Sequence, residues 1–139
     1  MIDTELRALL ADATTIAVVG ASTDPTKAAS RIPALLIEAG YTVIPVHPTA
    51  REILAQPVYA TLADVPVPID IVDVFRPAAE APGIAEQAAA VGARALWLQL
   101  GITSIEARQI ADRAGMTYLE DICIGETARR LGARPSTPR

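Results

Sequence analysis

The stretch Thr15-Ile16-Ala17-Val18-Val19-Gly20-Ala21-Ser22-Thr23-Asp24-Pro25-Thr26-Lys27-Ala28-Ala29-Ser30-Arg31 runs from an unbroken apolar segment, through one glycine, into a polar loop. A strand with one wet face alternates polar and apolar residues; residues 15–20 do not, which predicts a central strand buried on both faces. Beyond the loop, Ile32, Leu35, Leu36 and Ala39 recur at helical spacing, and Gly40 supplies the stop. Pro33 lacks an amide hydrogen and suits a helix's first turn, so the helix is expected to open near residues 30–32. Strand, glycine loop and helix make the opening half of a βαβ unit.

The same alternation continues on both sides. Upstream, Asp3 or Thr4 would cap a helix that places Ile2, Leu6, Leu9 and Leu10 on one face. Downstream, residues 41–46 predict a second strand, closed by His47-Pro48. Thr49-Ala50-Arg51-Glu52 has the form of a capping box and predicts a short helix. Residues 56–68 hold three prolines and read as irregular, with at most one turn near Leu62. Strands are expected at 70–75, 93–100 and 116–119. Helices are expected through Ile84, Ala88 and Val91, after a Ser104 cap through Ile110 and Ala114, and over 126–131. Ala39-Gly40, Val91-Gly92 and Ala114-Gly115 repeat one helix-to-strand junction. The reading is an α/β, Rossmann-like, doubly wound sheet of about five parallel strands with helices on both faces. One domain over 1–133 is expected, with a flexible tail over 134–139.

Composition sets the outer limits. At 139 residues the chain has room for one core, and 51% hydrophobic with 20% charged residues describes a packed globule. Aromatics are only 4%, so that core must be aliphatic. Twelve basic against sixteen acidic residues argue against non-specific nucleic-acid binding, which needs a basic surface. A single cysteine, Cys123, cannot form an internal disulfide, and no apolar run approaches the ~20 residues that span a bilayer. No signal peptide is recognised, and a cytoplasmic location is expected.

Ligands of open parallel sheets sit beyond the carboxyl ends of the strands, where strand order reverses. The loop after residue 20 is the most informative of those ends. Gly20 permits a tight turn, and the small Ala21 and Ser22 let an anion approach backbone amides. The following helix start adds unpaired donors and partial positive charge. Lys27, the only lysine in the chain, lies here with Ser30 and Arg31. The loop therefore predicts phosphate binding. A dinucleotide fingerprint would need glycines where Ser22 and Pro25 stand, and an acid closing the second strand, which instead ends in Val46-His47-Pro48. A phosphate loop would need a Gly-Lys-Ser/Thr tail, which is missing.

These residues, taken in order, resemble the small stand-alone coenzyme A-binding proteins, whose domain is similar to the amino-terminal domain of the succinyl-CoA synthetase alpha subunit. The resemblance rests on Ile16 to Ser22 with Pro25, Lys27, Ser30 and Arg31, on Gly40 to Pro48, on Asp70 to Arg76, and on Leu96 to Gly101. Asp121, Cys123, Glu126 and Arg130-Leu131 look like the family's last block. The resemblance implies coenzyme A as the bound cofactor. The first loop, with Gly20, Ala21, Ser22 and Ser30, would hold the pyrophosphate, and Lys27 or Arg31 would meet phosphate charge. Val46, His47 and Pro48, with Val74, Phe75 and Arg76, would border the nucleotide, and Gln99, Leu100 and Gly101 the pantetheine arm. An anionic nucleotide suits Arg and Lys rather than a ribose-binding acid. Partners would be coenzyme A or an acyl-CoA, not nucleic acid or membrane, with a homodimer or a partner enzyme left open.

Catalytic chemistry is harder to find. One histidine, His47, cannot serve a phosphohistidine in a further domain, nor a Ser/His/Asp set without a nucleophile elbow. Cys123 follows Glu120 and Asp121, whose charge disfavours a thiolate, and it reads as a small core residue. A mixed disulfide with coenzyme A is the lesser alternative. Asp70 and Asp73 suit ion pairing, Asp73 to Arg76, or loop orientation better than acid–base work, and metal-ligand spacing is missing. The expectation is a ligand-binding module and not an enzyme. Its rivals are an NAD(P)-dependent oxidoreductase-type domain and a protein-interaction module with a vestigial pocket.

Overall fold

Thr15–Val19 (β1) has Thr15, Ile16, Ala17 and Val18 fully buried, and parallel neighbours on both edges, Thr42–Val46 (β2) and Ile71–Val74 (β5). A computed structural model describes residues 1–136. Its other elements are α1 (Asp3–Asp12), α2 (Ala28–Glu38), the two-residue strands β3 (Glu52–Ile53) and β4 (Gln56–Pro57), α3 (Ala81–Ala90), β6 (Ala95–Leu98), α4 (Ile105–Ala114), β7 (Thr117–Leu119) and α5 (Ile124–Leu131). Single 3-10 turns occupy Leu62–Asp64 and Ala78–Glu80.

The main sheet is parallel throughout, in the order β2-β1-β5-β6-β7. Val18 lies between Pro45 and Asp73 in register, and Pro45 is tolerated because β2 is the edge strand. Alternate residues of each strand face opposite layers. Ile16, Val18, Ile71 and Trp97 pack with α1, α2 and α5 through Leu10, Leu36 and Ile124. Ala17, Val72, Leu96 and Leu98 pack with α3 and α4, whose inward faces are mostly alanine. Trp97 is fully buried, and its indole N–H donates to the Ile122 carbonyl at 2.8 Å. Gly125 lets α5 approach α2 closely, since a Cβ there would stand 2.9 Å from Ile32 Cγ2.

The doubly wound sheet matches the expectation; several boundaries do not. α1 begins at Asp3 with Ile2 as its cap residue, and Glu5 reaches back to the Ile2 amide at 3.1 Å. α2 opens at Ala28, not near 30–32, so Pro33 lies in its second turn. The carbonyl that Pro33 leaves without a donor is Ala29's, and it accepts the Ser22 amide at 3.1 Å instead. Thr49 to Glu52 opens no helix. Glu52–Ile53 pairs antiparallel with Gln56–Pro57 across a turn whose Leu54 and Ala55 have φ of 54° and 59°. α5 starts at Ile124, two residues earlier than expected. The expected Ser104 cap is present, accepting from the Ala107 amide at 3.0 Å. Of the tail, Ser136 donates its amide to the Ala11 carbonyl at 2.8 Å, while 137–139 lie outside the described residues.

Candidate functional site

After β1 the chain runs through α2 to β2 on one side, then crosses to β5 on the other. The ends of β1 and β5 therefore flank the point where strand order reverses. Gly20 stands there with φ of +89°, and a Cβ on it would meet the Phe75 carbonyl oxygen and Arg76 Cδ at 2.8 Å. The position needs glycine for both reasons. The Gly20 amide donates to Val46 at 3.1 Å and the Phe75 amide to Val19 at 2.9 Å, which ties three strand ends together.

The loop beyond Gly20 is organised by its own side chains. Ser22 Oγ accepts the Asp24 amide at 3.0 Å, Asp24 Oδ1 accepts the Thr26 amide at 2.9 Å, and the Asp24 carbonyl accepts the Lys27 amide at 3.1 Å. The Thr26 hydroxyl and amide hold the Asp24 carboxyl below its ordinary range. The amides of Gly20 and Ser22 are consumed inside the fold. Those of Ala21, Thr23, Ala28 and Ala29 have no acceptor among the described residues. Four free donors thus surround the N-terminus of α2, where its partial positive charge concentrates. Lys27, the cap residue, is exposed beside them and makes no ion pair among the described residues.

A cleft of about 570 Å³ opens over this loop, within the range of small-molecule sites. Gly20, Ala21, Ser22, Thr23, Lys27 and Ala29 form one wall. Val46, His47, Pro48, Ala60 and Thr61 form a second, and Phe75, Arg76, Glu80, Ile84 and Gln87 a third. Ala60 and Thr61 belong to it because the preceding Tyr59 bridges β2, its amide donating to Pro45 at 3.2 Å and its carbonyl accepting from His47 at 3.0 Å. Arg76 does not pair with Asp73 as expected. It forms a bidentate pair with Glu80, at 3.1 Å and 2.6 Å, which holds the Glu80 carboxyl below its ordinary range.

Of the residues singled out in the sequence, Gly20, Ala21, Ser22, Lys27, Val46, His47, Pro48, Phe75 and Arg76 converge on this cleft. Ser30, Arg31, Val74, Gln99, Leu100 and Gly101 do not line it. Ser30 is buried in α2, and the Arg31 guanidinium donates to the Thr26 carbonyl. Val74 points into the α3–α4 layer. Leu100 is exposed, and the Gly101 amide donates to Asp121 at 2.6 Å. Beyond the strand ends and loop already singled out, Ala60, Thr61, Glu80, Ile84 and Gln87 line the cleft unannounced. Only Glu80 had a local signal, its four-residue spacing from Arg76.

Gln99 turns inward to Asp73, the most perturbed carboxyl of the fold. Its amide donates to Asp73 Oδ1, and its own Oε1 accepts the Ile124 amide at 3.4 Å. Asp73 is fully buried, and Oδ2 has no hydrogen-bond partner among the described residues. Burial pushes this carboxyl up to about 8, with the Gln99 hydrogen bond pulling the other way. Asp73 is outside the cleft lining. Asp70 orients a loop, accepting the Thr14 amide at 2.8 Å and the Thr15 amide at 2.9 Å. Cys123 is half-buried at the cap position of α5, against the aliphatic core. No group of three or more His, Cys, Asp and Glu side chains placed to hold a metal ion occurs among the described residues. Nor, among them, is any helix long and apolar enough to cross a membrane.

A parallel doubly wound sheet with an amide-lined cleft at its switch point defines a Rossmann-like α/β domain. The chain belongs to the coenzyme A-binding domain family, whose pattern it matches over residues 14–128. It is 37% identical over 120 residues to the uncharacterized Bacillus subtilis protein YneT, covering 86% of this chain and 89% of that one. A hypothetical protein from Pyrococcus horikoshii superposes with a TM-score of 0.92 at 34% identity, over 94% of this chain and 92% of the other. The dinucleotide-forming acetyl-coenzyme A synthetase of Ca. Korarchaeum cryptofilum superposes with a TM-score of 0.70 at 30% identity, over 79% of this chain but only 26% of the enzyme.

Proposed function

We propose that this chain binds coenzyme A or an acyl-CoA across the switch-point cleft and carries no catalytic machinery of its own. The observation that supports this most is the set of amides at Ala21, Thr23, Ala28 and Ala29, without acceptors among the described residues, with Lys27 beside them in no ion pair there. Their fit is to a pyrophosphate, which accepts several N–H bonds at once and draws on the helix N-terminus. The nucleotide extends along Val46, His47 and Pro48, and Phe75 with Arg76 borders it from the other side. The family and its acetyl-coenzyme A synthetase neighbour favour coenzyme A over other nucleotides.

Two features support binding without chemistry. The most perturbed acid, Asp73, lies outside the cleft lining, and the carboxylate that does line the cleft, Glu80, is held by Arg76. Thermal-shift screening followed by isothermal titration with coenzyme A, acyl-CoAs, NADH and NADPH tests the reading, since a ligand of the native state raises its melting point by mass action. Coenzyme A or an acyl-CoA should bind at micromolar level or better. NAD(P)H binding without coenzyme A binding would reverse the assignment, and silence across the panel would favour an interaction module.

A further inference from the structure

The His47 ring is held by one edge. Its Nδ1 accepts the amide hydrogens of Thr49 at 3.1 Å and Ala50 at 3.0 Å. A nitrogen that accepts cannot also carry a hydrogen, so this geometry is that of the neutral Nε2–H tautomer. Turning the ring over would set a C–H against both amides and lose two hydrogen bonds. The backbone is held as well, because the His47 amide donates to Tyr59 at 3.0 Å. Nε2 has no partner among the described residues, and His47 lines the cleft on its β2 side.

We infer that His47 presents a fixed, uncharged N–H donor to the ligand and reads a hydrogen-bond acceptor on its nucleoside end. This rests on the coenzyme A reading and deepens it. The acceptor is a 3′-phosphate oxygen or a nitrogen of the base, and either is met without rearranging the loop. The contact is selective because the ring offers a donor only: its accepting nitrogen is already used by Thr49 and Ala50. Unlike Lys27, it adds affinity that depends little on salt.

His47→Asn separates the two edges of the ring. Asparagine can still accept a following amide and keep the turn, but it is too short to offer a donor to the cleft. Affinity for coenzyme A should fall on the order of five- to tenfold, the loss of one hydrogen bond. If the acceptor is the 3′-phosphate, the loss appears with coenzyme A and vanishes with dephospho-coenzyme A; a loss with both assigns it to the base. Equal affinities of wild type and variant for both ligands would overturn the inference. A ¹⁵N–¹H long-range correlation spectrum of the free protein reads the tautomer independently: Nε2–H is expected, and Nδ1–H would overturn the inference. If the wild type binds neither ligand, the coenzyme A reading falls and the ligand contact with it, while the spectrum still decides the ring's geometry.

Discussion

Replacing Asp73 by asparagine should stabilise the protein near neutral pH, by an amount that grows as pH rises from about 4 to about 8. In the fold the carboxyl is fully buried and titrates near 8, while in the unfolded chain it titrates near the usual value of about 4. Between those two pH values the folded state holds a proton that the unfolded state has released, so stability falls as pH rises through the window. The slope is about 1.4 kcal/mol per pH unit, and the penalty levels off once the folded carboxyl also ionises. By pH 7 the loss approaches about 4 kcal/mol, a large share of a typical stability of about 5–15 kcal/mol. The substituted amide would still accept from Gln99 but would leave an unpartnered N–H donor where Oδ2 stands, costing about 1–3 kcal/mol. The net gain at pH 7 is therefore about 1–3 kcal/mol, and near pH 4 it becomes a loss. Urea unfolding of both proteins at closely spaced pH values isolates this residue, because the other titrations cancel in the difference. A difference that does not change with pH would show that Asp73 is already ionised in the fold and would refute the argument.

Other substitutions test separate parts of the site. Gly20→Ala forces a side chain into left-handed backbone and against the Phe75 carbonyl, so urea unfolding should show a loss of about 3 kcal/mol; a loss under about 1 kcal/mol would mean the three strand ends are looser than described. Glu80→Gln frees Arg76 and removes a negative charge from the cleft, so coenzyme A should bind up to about fivefold more tightly, most clearly at low salt. Unchanged or weaker binding in titration calorimetry would remove Arg76 from the anion site. Lys27→Ala should weaken binding about tenfold and flatten its salt dependence. Arg31→Ala, whose guanidinium is occupied by Thr26, should change affinity less than about twofold, and the reverse order of the two would relocate the phosphate.

How far the fold could be read from the residues depended on whether the deciding interaction was local. β1 and β6 are legible because a parallel strand covered on both faces reads as a near-continuous apolar run, broken in these two only by Thr15 at the start of β1. The start of α2 was not, because Pro33 is accommodated by Ser22, a partner outside the helix that donates to the Ala29 carbonyl. The β3–β4 hairpin turns on Leu54 and Ala55 in left-handed conformation, without the glycine or asparagine that signals such a turn. In the site, the ends of β1, β2 and β5 follow from the switch-point rule. Ala60 and Thr61 depend on the bridge between Val46 and Tyr59, a contact no local pattern announces. Gln99 was placed at the cleft from its position after β6, but its side chain faces the α5 layer and is spent on Asp73 and Ile124.

The most direct measurement is a backbone amide titration by NMR with coenzyme A. The account predicts that Ala21, Thr23, Ala28 and Ala29, free of intramolecular acceptors among the described residues, show the largest hydrogen-bonding shifts, with Lys27 and His47 close behind. Saturable shifts centred elsewhere, on Leu35, Ala39, Gly125 and Ala128 where α2 meets α5 or on Ser104 and Glu106 at the start of α4, with those four amides unmoved, would contradict it.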